Sequence, residues 1–140
     1  MLLFDPEKDL TAVQNVFLND SALLSLMGLS SATPLEKAKQ IIKRSQYDDL
    51  TDAKKRLCIF FIPSRQTRNS DLFEEVIQID CHVPITEDYK ARQIISRVIY
   101  LLDRKRLNGR ILKIAGHLGE LPTAQGFYCY GVRFNFYEPL

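Results

Sequence analysis

The chain has 140 residues, of which 46% are hydrophobic and 26% are charged, and its formal net charge is +2. These values exclude a disordered chain, predict one globular domain over residues 1–140, and give no electrostatic reason to expect a dedicated nucleic-acid partner. By residue count, 1–34 is acidic whereas 35–56 and 87–107 are basic, a distribution that suits a self-associating or partner-binding surface. No secretory signal is predicted at the start, and no apolar run approaches the roughly 20 residues that span a bilayer.

Helical signals occupy the first 44 residues. Asp5-Pro6 supplies a cap and an N1 proline for a first helix. Asn19-Asp20 is a break or a second cap, and Gly28 is a plausible stop. Thr33-Pro34-Leu35-Glu36 is a capping box that opens a second helix, PLEKAKQIIKR, and a polar loop follows it.

Two strands are predicted next. Arg56–Ile62 is a continuous apolar run of strand length, which is typical of a strand covered on both faces. Leu72–Val83 alternates between two sets of side chains, as a strand does. The polar segment Pro63–Asp71 between them is long for a hairpin, and we predict a functional loop there.

A long amphipathic helix is predicted over Thr86–Gly109, with Thr86 as its cap and Gly109 as its exit. Seven apolar side chains share an arc of about 160° that can cover a sheet. They are Ala91, Ile94, Ile95, Val98, Ile99, Leu101 and Leu102.

Two further strands complete the predicted sheet. RILKIAG is one strand, Gly116–Gly126 is a second long loop, and a last strand runs from residue 127 to about 137. The order α-α-β-β-α-β-β predicts an α+β fold in which helices cover a four-stranded, mainly antiparallel sheet. We divide the domain into a helical region, 1–34, and a core, 35–137.

Aromatic side chains on the last strand raise the question of RNA recognition. Tyr128, Tyr130, Phe134 and Phe136 share one face, but the neighbouring residues do not match the RNA-recognition motif. We therefore predict that this stripe is the core face of the sheet, packed on the central helix.

Motifs that carry chemistry are missing from the sequence. No phosphate-binding loop, nucleophile elbow or spaced set of metal ligands occurs. Cys81 and His82 are adjacent on a strand and point to opposite faces, so a structural role is predicted for each. Cys58, Cys81 and Cys129 are predicted to be free, buried thiols. The sequence thus predicts no catalytic residue, cofactor or metal, and no enzyme.

The order of the elements and their residue patterns resemble those of a known family. N-terminal helices lead to a basic segment, an apolar strand ending in Ile62-Pro63, a strand containing Ile79-Asp80, a helix starting Tyr89-Lys90-Ala91 and a strand Gly131–Phe136. Over residues 35–137 this layout resembles the tail-terminator and tail-completion proteins of long-tailed bacteriophages, also called neck or head–tail joining proteins.

That resemblance implies a structural virion protein without a cofactor. Members of the family form a ring, typically of six subunits, on the end of the tail tube, stop its growth and join it to the head. The implied partners are other copies of the chain, the tail-tube protein and the head-completion or connector protein. The implied location is the neck of the virion, and the host cytoplasm during assembly. The alternative is a cytoplasmic α+β binding or adaptor protein of unknown ligand.

Two sets of residues follow as candidate contacts. Tyr89 and Tyr100 lie within about 20° of each other on the outer side of the central helix, about 16 Å apart. Because interface cores favour tyrosine and arginine, the ring interpretation predicts that this side meets a different surface of the next subunit, within 1–34. The alternative is that Tyr89 folds back on the start of the helix and Tyr100 packs under the N-terminal helices. The full set is Tyr89, Gln93, Ser96, Arg97, Tyr100 and Arg104. Arg65 and Arg68 are predicted to face the tube lumen or the neighbour, where only non-specific contact with DNA phosphates is expected.

Overall fold

The computed structural model describes residues 5–51, 54–67 and 72–139. The elements, in chain order, are α1 (Pro6–Leu18), α2 (Ser21–Leu26), α3 (Pro34–Gln40), β1 (Ile41–Ile42), β2 (Arg56–Gln66), β3 (Leu72–Pro84), a 3-10 turn (Ile85–Glu87), α4 (Asp88–Leu102), β4 (Arg106–Leu107), β5 (Arg110–Ile111), β6 (Lys113–Leu121) and β7 (Phe127–Pro139).

The three N-terminal helices begin where their capping residues predict. The Asp5 carboxylate accepts from the Lys8 amide, and the Asp20 carboxylate accepts from the Leu23 amide, so Asp20 is the cap of a separate helix. Thr33 forms both hydrogen bonds of the predicted capping box. These bonds satisfy amides that have no partner within the helix itself.

The predicted α+β class is confirmed, but the predicted four-stranded sheet is wrong. The sheet has five strands in the order β1-β2-β3-β7-β6, and a separate hairpin pairs β4 with β5. β1 runs parallel to β2, whereas the other pairs are antiparallel. The extra strand is Ile41–Ile42, which we predicted as the end of α3. Both isoleucines are buried, and pairing with Leu57 and Cys58 draws them out of the helix.

Both predicted long loops are shorter in the structure. β2 continues through the predicted loop to Gln66, with an irregularity in its pairing between Ile62 and Arg65. β6 likewise continues to Leu121 and takes up half of the predicted loop Gly116–Gly126. Two irregularities in the register of β6 against β7 accommodate its glycines.

The central helix is shorter than predicted at both ends. A 3-10 turn contains Thr86, so that residue is not the cap, and α4 ends at Leu102. Asn108 and Gly109 both have positive φ, 48° and 76°, and they form the two-residue turn between β4 and β5. Gly109 therefore supplies a hairpin turn rather than a helix exit, as the Asn-Gly pair favours.

The core lies between the sheet and the helices. Five of the seven predicted apolar residues of α4 are buried, while Ile99 and Leu101 are half-buried against the same core. On the sheet, Ile77 and Ile79 of β3 pair with Phe134 and Val132 of β7, which confirms the predicted alternation of both strands. The aromatic stripe of β7 packs in this core, as predicted. No helix in the described part of the chain combines the length and apolar composition that crossing a membrane requires.

Candidate assembly surface

The outer face of α4 consists of the predicted residues Tyr89, Gln93, Ser96, Arg97 and Tyr100. Tyr89 is 48% exposed and Tyr100 is 65% exposed. Gln93 and Ser96 between them are also exposed. Tyrosine is enriched at protein–protein interfaces relative to the rest of the protein surface. The face is thus an open surface whose two ends carry aromatic rings.

Arg97 forms an ion pair within its own chain. Its guanidinium donates two hydrogen bonds to the Asp20 carboxylate, at 2.9 and 2.8 Å. Those bonds hold the pKa of Asp20 below its ordinary value. The same guanidinium stacks 4.7 Å from the centroid of the Tyr100 ring. Asp20 therefore joins α2 to α4, and Arg97 holds the Tyr100 ring in a defined position on the surface.

Arg104, the last residue of the predicted set, lies beyond the end of α4. Its φ is 60°, and its amide donates to the Leu112 carbonyl at 2.7 Å, so the chain has turned away from the helix there. Lys105 takes the neighbouring place instead, with its Nζ 5.8 Å from the Tyr100 ring centroid. Lys105 was not among the predicted residues, because the helix was predicted to continue beyond Leu102, where it ends.

Two more exposed side chains lie near Tyr89 in the sequence, Ile85 and Arg92. Ile85 in the 3-10 turn is 58% exposed. Arg92 lies 5.7 Å from the ring centroid of Tyr128 and donates to its hydroxyl at 3.3 Å. Tyr128 itself is half-buried and belongs to β7, 36 residues from Arg92. No local pattern in the sequence predicts a contact over that separation.

Of the two arginines predicted to face the lumen or the neighbour, Arg65 falls within the described residues. Arg65 belongs to β2, and its backbone pairs with Glu74 of β3 just after the irregularity in that pairing. Arg68 lies outside the described residues. Arg65 is thus part of a strand and not of a free loop.

The opposite side of the sheet, which we call the second face, carries Gln78, Asp80 and His82 of β3 next to Cys129 and Arg133 of β7. Arg133 donates to Gln78 at 3.1 Å, and Gln78 donates to Asp80 at 2.8 Å. His82 and Cys129 are direct partners across the two strands, with Nε2 and Sγ 3.8 Å apart. Gln78, Asp80, His82 and Cys129 are buried, although the first three are polar, and Arg133 is half-buried.

Burial governs the protonation of these groups. Desolvation lowers the pKa of His82 to about 4, which leaves a neutral imidazole near pH 7. Desolvation also raises the pKa of Asp80 and of the Cys129 thiol. The predicted free, buried state of all three cysteines is confirmed. The thiol beside the imidazole is Cys129, however, and not the sequence neighbour Cys81, which faces the helices.

Comparison with known proteins gives structural likenesses but no match in sequence. No family model matches the sequence, and no curated protein matches it. Among solved structures, a chain described as "Virion of native gene transfer agent (GTA) particle" superimposes with a TM-score of 0.62 at 12% identity, over 91% of this chain and 92% of that one. Nearly the whole chain therefore has the fold of a protein from a gene transfer agent virion.

Proposed function

We propose that this protein is a structural virion component that forms a ring on the end of a phage-type tail tube, stops its growth and joins the tail to the head. The observation that carries the proposal is the fold shared with a gene transfer agent virion chain along nearly the full length of both. The layout of residues 35–137 supports the same role independently. The proposed location is the virion neck, reached by assembly in the host cytoplasm.

The proposed subunit contact uses the outer face of α4. Two exposed tyrosines about 16 Å apart on one helix side form a patch, and Arg97 holds one of them in place. In a ring this patch meets a different surface of the next subunit, which we place in residues 1–34. Within that region Asp20 already binds Arg97 of its own chain, so Tyr100 and Lys105 carry the contact to the neighbour.

The proposal predicts that Tyr100→Glu blocks ring assembly while leaving the fold intact. Because Tyr100 is 65% exposed, a charge there costs the isolated subunit less than about 1 kcal/mol, but burial of that charge between subunits is costly. Leu35→Glu is the matched control: Leu35 is 66% exposed and lies in the first turn of α3, where a carboxylate is favourable.

Electron microscopy of the protein mixed with tail tubes tests both variants. Wild type and Leu35→Glu are expected to cap the tubes with closed rings, typically of six subunits, and Tyr100→Glu is expected to leave the tubes bare. Capped tubes with Tyr100→Glu would reject this face as the contact. Failure of the wild-type protein to associate with tubes or with itself would reject the virion role and favour a monomeric binding protein.

Arg65 and Arg68 are proposed to face the tube lumen or the neighbouring subunit. There they would attract DNA phosphates by charge alone, and the head-completion or connector protein would dock on an adjacent surface of the ring. The double variant Arg65→Gln, Arg68→Gln keeps the β2–β3 pairing, because strand pairing uses backbone groups. We expect normal rings and fewer joined particles. Unchanged particle yield would exclude this role.

A further inference from the structure

We propose that Asp80, His82 and Cys129 on the second face form a zinc-binding site. Each residue offers one ligand atom, and the three atoms lie within 4.8 Å of one another in a buried setting. Carboxylate oxygen, imidazole nitrogen and thiolate sulfur are the three donor types that Zn²⁺ takes in proteins. Nothing in the proposed ring function requires the site, so the two proposals stand or fall separately.

The geometry of the pair across the strands suits a tetrahedral ion. Zinc–sulfur and zinc–nitrogen bonds of about 2.3 and 2.05 Å at a tetrahedral angle place the two ligand atoms about 3.6 Å apart. Cys129 Sγ and His82 Nε2 are 3.8 Å apart. Since His82 and Cys129 are directly paired in the β3–β7 ladder, the sheet itself holds the two ligands at this spacing.

Two contacts away from Cys129 fix the orientation of the His82 imidazole. His82 Nδ1 lies 2.7 Å from the Thr123 hydroxyl, and the Tyr47 ring stacks on the imidazole at 5.1 Å. When Nδ1 donates its proton to Thr123, Nε2 keeps the lone pair that faces Cys129. A hydrogen bond at the far nitrogen is the usual support of a metal-bound histidine, because it sets both the tautomer and the ring plane.

A glycine makes room for the third ligand. Asp80 lies two residues from His82 on the same face of β3, and its partner on β7 is Gly131. A Cβ atom on Gly131 would lie only 2.7 Å from Asp80 Oδ1 and 2.5 Å from Leu121 Cδ1. The missing side chain therefore leaves space for the carboxylate beside the His82–Cys129 pair.

The charges of the site also fit a divalent ion. The Asp80 carboxylate is only 7% exposed and accepts a hydrogen bond from the neutral Gln78 amide at 2.8 Å, and among the described residues it forms no ion pair. One carboxylate, one thiolate and one neutral imidazole together carry two negative charges, which Zn²⁺ neutralises. The Cys129 thiol releases its proton to solvent as the zinc–sulfur bond forms, and a water completes the coordination.

Titration of the full-length wild-type protein with ZnCl₂ and with CoCl₂ tests the site. We expect one ion per chain, a rise in Tm with zinc and a thiolate-to-cobalt charge-transfer band. X-ray absorption of the zinc-loaded protein should show one sulfur ligand at about 2.3 Å and lighter ligands at about 2.0–2.1 Å. This measurement needs no substitution. No bound ion, or a bound ion without a sulfur ligand, would overturn the proposal.

Cysteine variants provide the matched comparison. Cys129→Ser keeps the size of the side chain and removes the thiolate, so we expect zinc affinity to fall more than about 100-fold and the cobalt band to disappear. Cys81→Ala is the control: Cys81 is equally buried and adjacent to both Asp80 and His82, but it faces the helices. It should retain wild-type affinity. A cobalt–thiolate band that persists in Cys129→Ser would also refute the assignment.

Discussion

Arg97→Ala is expected to lower the free energy of unfolding by about 1–2 kcal/mol, because it removes the interaction that ties α2 to α4. The guanidinium donates to both oxygens of Asp20 at 2.8 and 2.9 Å. The side chain of Arg97 is 31% exposed and that of Asp20 is 15% exposed. The pair is thus neither a solvated surface contact nor a fully buried one.

The magnitude follows from that intermediate burial. An exposed ion pair contributes about 0–1 kcal/mol, and a hydrogen bond to a charged group contributes about 1.5–3 kcal/mol when water is excluded. Stacking of Arg97 on Tyr100 adds about 0.5 kcal/mol at an exposed site. The freed rotamers of an arginine offset part of the total. A loss of about 1–2 kcal/mol remains.

A double-mutant cycle in urea measures the interaction itself. Asparagine caps helices about as well as aspartate, so Asp20→Asn keeps an oxygen acceptor for the Leu23 amide and removes the charge and one of the two oxygens that accept from Arg97. We expect each single variant to be destabilised and the double variant to be little worse than either. The coupling energy should be about 1 kcal/mol. Additive effects within about 0.3 kcal/mol would refute the reasoning.

The interaction should also weaken in acid. The hydrogen bonds from Arg97 are the main cause that lowers the pKa of Asp20, and the Leu23 amide adds to them. A folded-state pKa below the unfolded value of 3.8 gives stability that is fully present above that value and is lost as the pH falls through the folded pKa. The difference in stability between wild type and Arg97→Ala should therefore narrow below about pH 4. An equal difference in stability between wild type and Arg97→Ala at pH 3 and at pH 7 would contradict this prediction.

Two further predictions concern the buried interior of the sheet. Cys58, Cys81 and Cys129 have no exposed surface, and burial raises the pKa of Cys58 to about 11. All three should therefore resist a thiol reagent in the native protein and react after denaturation. Rapid labelling of any of them in the native state would show that its strand opens. Gly131→Ala should lower the free energy of unfolding in urea by about 1–3 kcal/mol, because its methyl group would meet Leu121 and Asp80. Gly116→Ala is the control and should be close to neutral, because no atom lies within 4 Å of its added methyl group. Equal effects of the two changes would contradict the packing around Gly131.

Local patterns predicted the parts of the fold that depend on near neighbours. The alternation in β3 and β7 identified the side chains of each face correctly, since side chains on a strand repeat every two residues. The caps Asp5, Asp20 and Thr33 likewise act on amides three residues away.

Contacts between distant residues account for the errors. Ile41 and Ile42 continue the helical pattern of α3, and only their pairing with β2 makes them a strand. Asn108-Gly109 is a hairpin signal, but its strands have two residues each and lack the usual alternation. Within the candidate sites, Arg97 binds a residue 77 positions away and Cys129 lies 47 positions from His82. No periodic pattern in the sequence predicts a contact between residues so far apart.

The position of β7 in the sheet has a consequence for the order of events during synthesis. β7 follows every other strand in the sequence, yet it lies between β3 and β6 and pairs with both. A chain released before residue 127 thus leaves one edge of β3 unpaired and gives β6 no strand to join. Pairing across such sequence distances is slow, and unpaired edges promote aggregation. Only a chain translated beyond β7 can complete the sheet and bury its core, so a prematurely terminated chain lacks the folded surfaces described above.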